Sequence, residues 1–549
     1  MRQEIIEADV LCVGGGIAGL MAAIRASELG ARVVVAEKGN TLRSGAGACG
    51  NDHFQCYIPE FHGTDFEAFM QELAFGQMAA QIRMKDQAFL RAWLLTSYDI
   101  VKLWDSWGIP MKYDGKWEFA GHVYPGRIPR HLKYAGANQK SVLTKKAVTT
   151  GAQIVNRVMA FDLVGDDGVM GAVGVDTREE RIVGFRAKSV ILGTGSCVRL
   201  YPAPTPGWMS NVTHPLEVTG DGRAMAYRLG AELVNLELPL RHAGPKYFSR
   251  CGQATWIGVL RDSQGKPVGP FLDKPDRRYG DMTTELNKQV FEDYMSSGRG
   301  PVYMDCHGIS DDDFEYMKYW LKHEGNTALL NHMDQENIDP RKNPIEFMTY
   351  ESRVRGGVYT DERAQASVKG LYGAGDESFG EISGAAVFGW IAGENAAKFA
   401  KQTEFGDVQK VRAKMDEAAS LISQIRSRDT GPDWKEVNIA LQQLMHDYAG
   451  SIRSETLLTA GLTYLQRLKE KTHKSIIARN QHELMRCLEV LHLIDVGEIT
   501  FVAANARRET RGLHTRADYP YTNPLLEKML VVKKGKEGNP VVQWRELKR

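Results

Sequence analysis

Residues 349–359 read Thr-Tyr-Glu-Ser-Arg-Val-Arg-Gly-Gly-Val-Tyr, which sets Glu351, Arg353 and Arg355 just ahead of a glycine pair. In an extended segment successive side chains alternate, so these three point to one side. A guanidinium presents its donors as a fork that suits planar or phosphate-like anions. Glu351 can pair with one arginine and leave the other for an anion; the competing reading is an inter-domain salt-bridge network. A second chemical signature stands near the start. Gly14, Gly16 and Gly19 form G-x-G-x-x-G, and Glu37 follows. Glycines at that spacing allow a tight turn, close backbone approach to a pyrophosphate, and close helix–strand packing. The acidic residue stands where it would accept hydrogen bonds from ribose hydroxyls.

The elements needed to position the second signature occur in order. ADVLCV reads as a buried strand, AGLMAAIRASELG as a helix stopping at Gly30, and RVVVAE as a strand ending in Glu37. The helix start offers unpaired N–H groups to phosphates. A dinucleotide site is therefore expected.

Composition narrows the class. The chain has 549 residues, 43% hydrophobic and 25% charged, as in globular enzymes of several domains. A net charge of +1 gives no field that would attract nucleic acid. The seven cysteines are scattered without a C-x-x-C pair, so no disulfide framework, metal site or internal iron–sulfur cluster is expected. Free thiols, no basic-then-apolar leader and no apolar run of spanning length predict a cytoplasmic protein. Membrane contact is expected only through partners.

Four further stretches follow in order: TLRSGAGACGND, SVILGTGSCVRLY, HPLEVTGDGRAMAYRLGAEL and GLYGAGDESFGEISGAAVFGWIAGENAAKFA. With GRGPVYMD (298–305) and ARRETRGLHTRADYP (506–520), the set resembles the flavoprotein subunit family of fumarate reductase and succinate dehydrogenase over nearly the whole chain. That family also includes L-aspartate oxidase and the adenylylsulfate reductase alpha subunit. The resemblance implies an α/β fold: a Rossmann-like FAD-binding domain (1–235 and 345–404), an inserted α+β capping domain (236–344), a C-terminal helical domain (405–500) and a tail (501–549). The tail motif, with Glu509, Arg511, His514, Arg516 and Asp518, is expected to pack on the FAD domain as a structural element.

The implied cofactor is FAD. The pyrophosphate would lie on Gly14, Gly16, Ile17, Ala18 and Gly19, and the adenosine ribose on Glu37 and Lys38. Arg43 and Ser44 match the family's Arg-Ser ahead of the flavin. Covalent members place a histidine next; Gly45 stands there instead, so a non-covalent FAD is expected. Cys49, Gly50 and Asn51 continue that stretch. Met159 and Ala160 would contact adenine, Thr194 and Gly195 close the pocket, and Asp221 belongs to the TGDG turn. Gly375 and Asp376 would hold the ribityl chain or ribose. Ala385, Ala386 and Val387 would open a helix whose N-terminus favours the negative charge of reduced flavin.

The dicarboxylate grip of fumarate reductases is altered at four positions. Ser352 stands for a histidine, Val387 for an arginine, Gln289 for the proton-donating arginine, and ELPLRH for the family's capping-entry stretch. Arg241, His242, Arg353 and Arg355 form a different set and are the candidate catalytic residues. Arg241 matches a Pro-x-Arg motif of the adenylylsulfate reductase branch. RIPRHLKYAGANQKS supplies a further basic stretch, with Arg127, Arg130, His131 and Lys133, read as a cavity wall or a solvated loop. The expected function is an adenylylsulfate reductase-like flavoprotein subunit moving electrons between FAD and a small anionic substrate, an iron–sulfur (ferredoxin-like) partner, or both. The alternative is an electron-transfer subunit without a small substrate; fumarate reductase, succinate dehydrogenase and L-aspartate oxidase are disfavoured.

Overall fold

The central strand, Arg2–Val13, turns Val10 and Cys12 to one core and Leu11 and Val13 to the other. Its neighbour Val33–Glu37 divides Val33 and Val35 from Val34 and Ala36 in the same way. A strand buried on both faces reads as a continuous apolar run, as in a parallel sheet covered on both sides. The computed structural model describes every residue except 74–81, 124, 206–208, 210, 249–255, 270–271, 281–288, 351–352 and 379, and the side chain of 289. Glu351, Ser352 and the Gln289 side chain thus lie outside the described residues.

Arg2–Val13 runs parallel to Val33–Glu37 on one side and to Arg181–Leu192 on the other. Gln153–Asn156 extends the first side. Arg181–Leu192 pairs through Val190–Leu192 with the parallel Leu371–Gly373, and through its first half with the antiparallel Val169–Asp176, which carries Val158–Gly165. Helices Ile17–Glu28 and Ile382–Lys401 pack on one face of this seven-stranded sheet. Ligands of open α/β sheets sit beyond the carboxyl ends of the strands. Here those ends are Val13, Glu37, Leu192 and Gly373.

The inserted unit has its own core around Trp256, Met304, Met317, Trp320 and Phe347. Its antiparallel sheet runs Ala243–Pro245, Ile345–Thr349, Val302–Asp305, Val259–Arg261. Ile345–Thr349 therefore belongs to the insertion, which reaches past the expected limit of 344. Pro239–Leu240 pairs with Arg353–Val354 where the chain leaves and re-enters the larger domain.

Four helices, Val408–Arg426, Trp434–Ala449, Glu455–Ser475 and Gln481–Ala506, form the helical unit. The last runs beyond the expected boundary at 500 and is buried along most of its length. The tail then docks by β-pairing: Met529–Lys534 lies between Pro540–Arg545 and Leu233–Val234, and Gly357–Val358 completes that sheet. Arg507, Glu509, Arg511, His514 and Arg516 are buried beneath it, with Glu237–Arg507–Glu509 as an ion-paired chain.

Candidate active site

A cavity of about 750 Å³ opens at the carboxyl ends of the parallel strands. The dinucleotide turn forms one end. Gly14 has φ +96°, and a Cβ there would stand 2.5 Å from the Gly193 carbonyl oxygen. A Cβ on Gly19 would stand 1.8 Å from the Gly14 oxygen, so Gly19 serves packing and does not line the cavity. Glu37 accepts the N–H groups of Gly15 and Gly39, each at 2.7 Å, which fixes the turn to the end of its neighbouring strand. The buried Lys140 ammonium donates to the Gly15 carbonyl, a support the sequence reading missed.

Two helix N-termini face this space. Ile17–Glu28 and Ile382–Lys401 begin without a side-chain cap and without an acidic residue in the first turn. Their first N–H groups therefore favour an anion or a polarised carbonyl. Ile17, Ala18, Ile382 and Ala385 line the cavity with Gly16, Gly45, Gly50, Asn51, Met159, Ala160, Thr194, Gly195 and Gly375. Ala386 and Val387 turn away into the hydrophobic core instead of lining it. Arg43 is exposed, and neither it nor Cys49 lines the cavity. Ser44 is buried, and its Oγ has no hydrogen-bond partner among the described residues.

Lys38 and Asp221 line the cavity, but their charges are engaged elsewhere. Lys38 Nζ pairs with Asp221 at 2.6 Å and with Glu489 at 2.9 Å. Asp221 also meets His492 Nδ1 at 2.7 Å, and Glu489 meets Arg199 at 2.6 Å. These groups tie the FAD-side sheet to the last long helix. Burial opposes the Lys38 charge, yet Asp221 and Glu489 raise its pKa above the ordinary lysine value.

The arginine segment forms the opposite wall. Arg353 is 3% exposed, and its Nη1 lies 2.6 Å from the ring nitrogens of His214 while its Nη2 donates to His242 Nε2. The two imidazoles lie nearly parallel, 6.4 Å apart. Burial, reinforced by Arg353, depresses His214 to about 3, so it is neutral and can accept from the guanidinium. Arg355 stands 3.9 Å from Glu381, the residue before the Ile382 helix. Glu381 has φ +89°, a region that disfavours any side chain. Arg241 is drawn to Glu292 and to Ser451 Oγ at 3.1 Å, so it is held at the rim by the inserted and helical units. The four candidate catalytic residues therefore share one cavity, and Arg353, His214 and His242 form its closest group.

Arg223 holds this wall in place, and no sequence signal singled it out. It is fully buried and donates to the carbonyls of Gly356 (2.8 Å), Gly195 (2.8 Å) and Asp376, and to Glu377 Oε1 (3.2 Å). A Cβ on Gly357 would lie 2.1 Å from the Glu377 oxygen, which explains the glycine pair after the arginines. Asp376 is half-buried beside His214, Arg353, Arg355 and Arg223; desolvation opposes its charge, but His214 and the three guanidinium groups hold its pKa below the ordinary value. Glu377 differs: burial outweighs Arg223 and pushes it to about 7 from an ordinary 4.5. Its folded-state pKa is raised, so its stabilising contribution is complete below about 4.5 and is lost as pH rises through about 7. Glu377→Gln is therefore expected to flatten the stability–pH curve between those values, measured as thermal midpoint against pH.

On the third wall His53, His122 and His131 gather; of these only His131 was flagged in the sequence. Arg130, His131 and Lys133 are buried, which corrects the solvated-loop reading for them, whereas Arg127 is exposed beside Glu72. Arg511, Gly512, Leu513 and Thr522 bring the tail to the cavity as well.

A family model described as the FAD binding domain matches residues 9–389, and one described as the fumarate reductase flavoprotein C-terminal region matches 438–549. The chain belongs to the fumarate reductase/succinate dehydrogenase flavoprotein family. This flavoprotein is 26% identical to a component of the fumarate reductase (CoM/CoB) of Methanothermobacter marburgensis, across 98% of this chain and 99% of that one. Its fold matches adenylylsulfate reductase from Archaeoglobus fulgidus with a TM-score of 0.84 at 23% identity, covering 99% of this chain and 96% of that one. It also matches Escherichia coli quinol fumarate reductase at 0.82 and 21% identity, covering 100% and 97%. The flavoprotein is an FAD-dependent oxidoreductase. The cavity suits FAD: two uncapped helix ends face it, Gly16, Ala18, Gly375 and Ala385 give it a floor of small residues, and Ser44 Oγ keeps a hydrogen bond unused nearby. No helix among the described residues is long and apolar enough to cross a membrane.

Proposed function

We propose that the chain is the flavoprotein subunit of an adenylylsulfate reductase-like complex that exchanges electrons between FAD and a small anionic substrate, with an iron–sulfur protein as electron partner. The observation that carries this reading is the convergence of Arg353, Arg355, His214 and His242 on the cavity that holds the dinucleotide turn. A desolvated anion requires such fixed donors, because an uncompensated buried charge is costly. Where fumarate reductases carry an arginine in the helix start, Val387 is core, so the diacid clamp is incomplete.

In this reading Gly14, Gly16 and the Ile17 helix hold the pyrophosphate, and the strand bearing Met159 and Ala160 holds the adenine. The bound FAD supplies hydride or single electrons; the arginine wall orients the acceptor. Gly45 offers no side chain for a covalent bond, which supports a reversibly held cofactor. The chain has no clustered cysteines to relay single electrons, which supports an external iron–sulfur partner.

The test uses the purified, FAD-loaded chain. Denaturation is expected to release the yellow pigment completely. The photoreduced protein is expected to be reoxidised by at least one small oxidised anion faster than by fumarate. Pigment retained on the denatured polypeptide overturns the non-covalent assignment, and reoxidation by an iron–sulfur protein alone leaves an electron-transfer subunit.

A further inference from the structure

The three-histidine wall is used neither by the dinucleotide turn nor by the arginine set. Strands His53–Gln55 and His131–Lys133 pair antiparallel, with His53 opposite Lys133. The ring centres of His53 and His122 lie 4.5 Å apart, and those of His122 and His131 4.8 Å apart. Behind them sits Asp52, fully buried, 2.6 Å from His53 Nδ1 and 2.8 Å from Lys133 Nζ. Nδ1 is thereby engaged, and Nε2 is the ring nitrogen turned away from the carboxylate. His53 lines the cavity and lies within electrostatic range of Glu381, as do Arg355 and Arg130, so the cluster adjoins the anion wall.

We propose that His53, oriented by Asp52, is the proton-transferring residue of this active site; the role rests on the reading that a small anion exchanges an electron pair with FAD here. A carboxylate on Nδ1 fixes the tautomer and orientation of an imidazole that gives or takes a proton at Nε2. In the reducing direction FAD, when bound, would supply a hydride whose electrons come from the iron–sulfur protein. His53 Nε2 gives the substrate the one proton that balances the hydride, and water restores it. Oxidation of the substrate runs the same transfers in reverse.

The groups facing His53 are Asp52, Lys133, His122, His131, Arg130 and Glu381. Burial opposes the Asp52 charge, but Lys133 and the hydrogen bond with His53 hold its carboxyl well below the ordinary range, so it stays an acceptor. Burial and the neighbouring cations keep His122 and His131 neutral. Asp52, His53 and His122 could also meet one metal ion, their ligand atoms lying within 4.8 Å of one another. Lys133 already balances the Asp52 charge and Arg130 adds another cation, which disfavours a divalent ion and favours a mobile proton.

The experiment photoreduces the FAD-loaded full chain, then reoxidises it with a panel of small oxidised anions and, separately, with ferricyanide, which takes one electron and no proton. His53→Gln is expected to lower the ratio of anion rate to ferricyanide rate by about 100-fold. Added imidazole is expected to restore the ratio in His53→Ala. In the flavin-free, ¹⁵N-histidine-labelled wild type, a downfield ring N–H proton should appear and be missing in His53→Gln. An unchanged ratio, or no such proton, overturns the role, as does stoichiometric binding of Zn²⁺ or Fe²⁺ that depends on His53. A wild type that responds to ferricyanide but to no anion overturns the functional reading, and this role with it.

Discussion

Arg353→Met is expected to lower kcat/KM for the anionic substrate by two to three orders of magnitude while the flavin content stays that of the wild type. Arg353 is buried in the cavity wall against His214 and His242, and burial holds His214 neutral, so its guanidinium brings positive charge into a largely desolvated place. Removing one partner of a buried, hydrogen-bonded charge pair costs about 2–5 kcal/mol, and each 1.4 kcal/mol is about tenfold. Methionine keeps much of the arginine stem, so the packing loss is small. Arg353→Lys should recover only part of the rate, because an ammonium keeps the charge but lacks the fork. The assay is steady-state kinetics with the anion found by reoxidation, alongside visible absorbance for flavin. A variant as fast as the wild type would return the arginine segment to a purely structural role.

Arg223→Met is expected to destabilise the FAD domain by about 3–5 kcal/mol and to loosen the cofactor with it. Arg223 joins three segments distant in sequence: the carbonyls of Gly195, Gly356 and Asp376, and the Glu377 carboxyl. Without the guanidinium the three carbonyls lose this donor and Glu377 Oε1 keeps Thr194 Oγ1 at 2.8 Å, and each unsatisfied group carries a desolvation cost. Glu377, already pushed to about 7 by burial, is expected to take up a proton more firmly in the variant. Urea unfolding followed by flavin fluorescence separates the outcomes: release of flavin at markedly lower urea is expected, and an unchanged midpoint would show that the glycine segments hold without Arg223.

The dinucleotide unit was legible because local rules decide it: short continuous apolar strands, a helix of period 3.6, glycines where a Cβ would collide, and an acid at the second strand end. Gly14 and Glu37 needed no long-range information. Arg353 was legible for a different reason, since three charges beside a glycine pair are unusual in any core. Its partner His242 stood in the same candidate set, but its partner His214 did not. His214 precedes the TGDG turn in the chain and reads there as an ordinary loop residue, yet the fold brings it to an arginine 139 residues away. Lys38 read as a cofactor contact from its place after Glu37, whereas its ammonium meets Glu489 from a helix 451 residues downstream. Val387 was assigned by counting from the helix start, but the helix turns that residue to the core. His53 went unread because its meaning depends on His122 and His131, which sequence spacing does not associate. Ile345–Thr349 joined the wrong unit because an isolated five-residue strand carries no mark of the sheet that will receive it.

The stretch between the last long helix and the final hairpin has a temporal implication. Arg511, Gly512, Leu513 and Thr522 complete the cavity's boundary, and Met529–Lys534 fastens them by pairing with Leu233–Val234. Translation delivers those residues after every other wall has been made. The glycine turn and its sheet precede these residues in the chain, and without them the cup stays open on that side. A chain shortened before residue 511 is therefore expected to retain less FAD, measured as flavin content after purification.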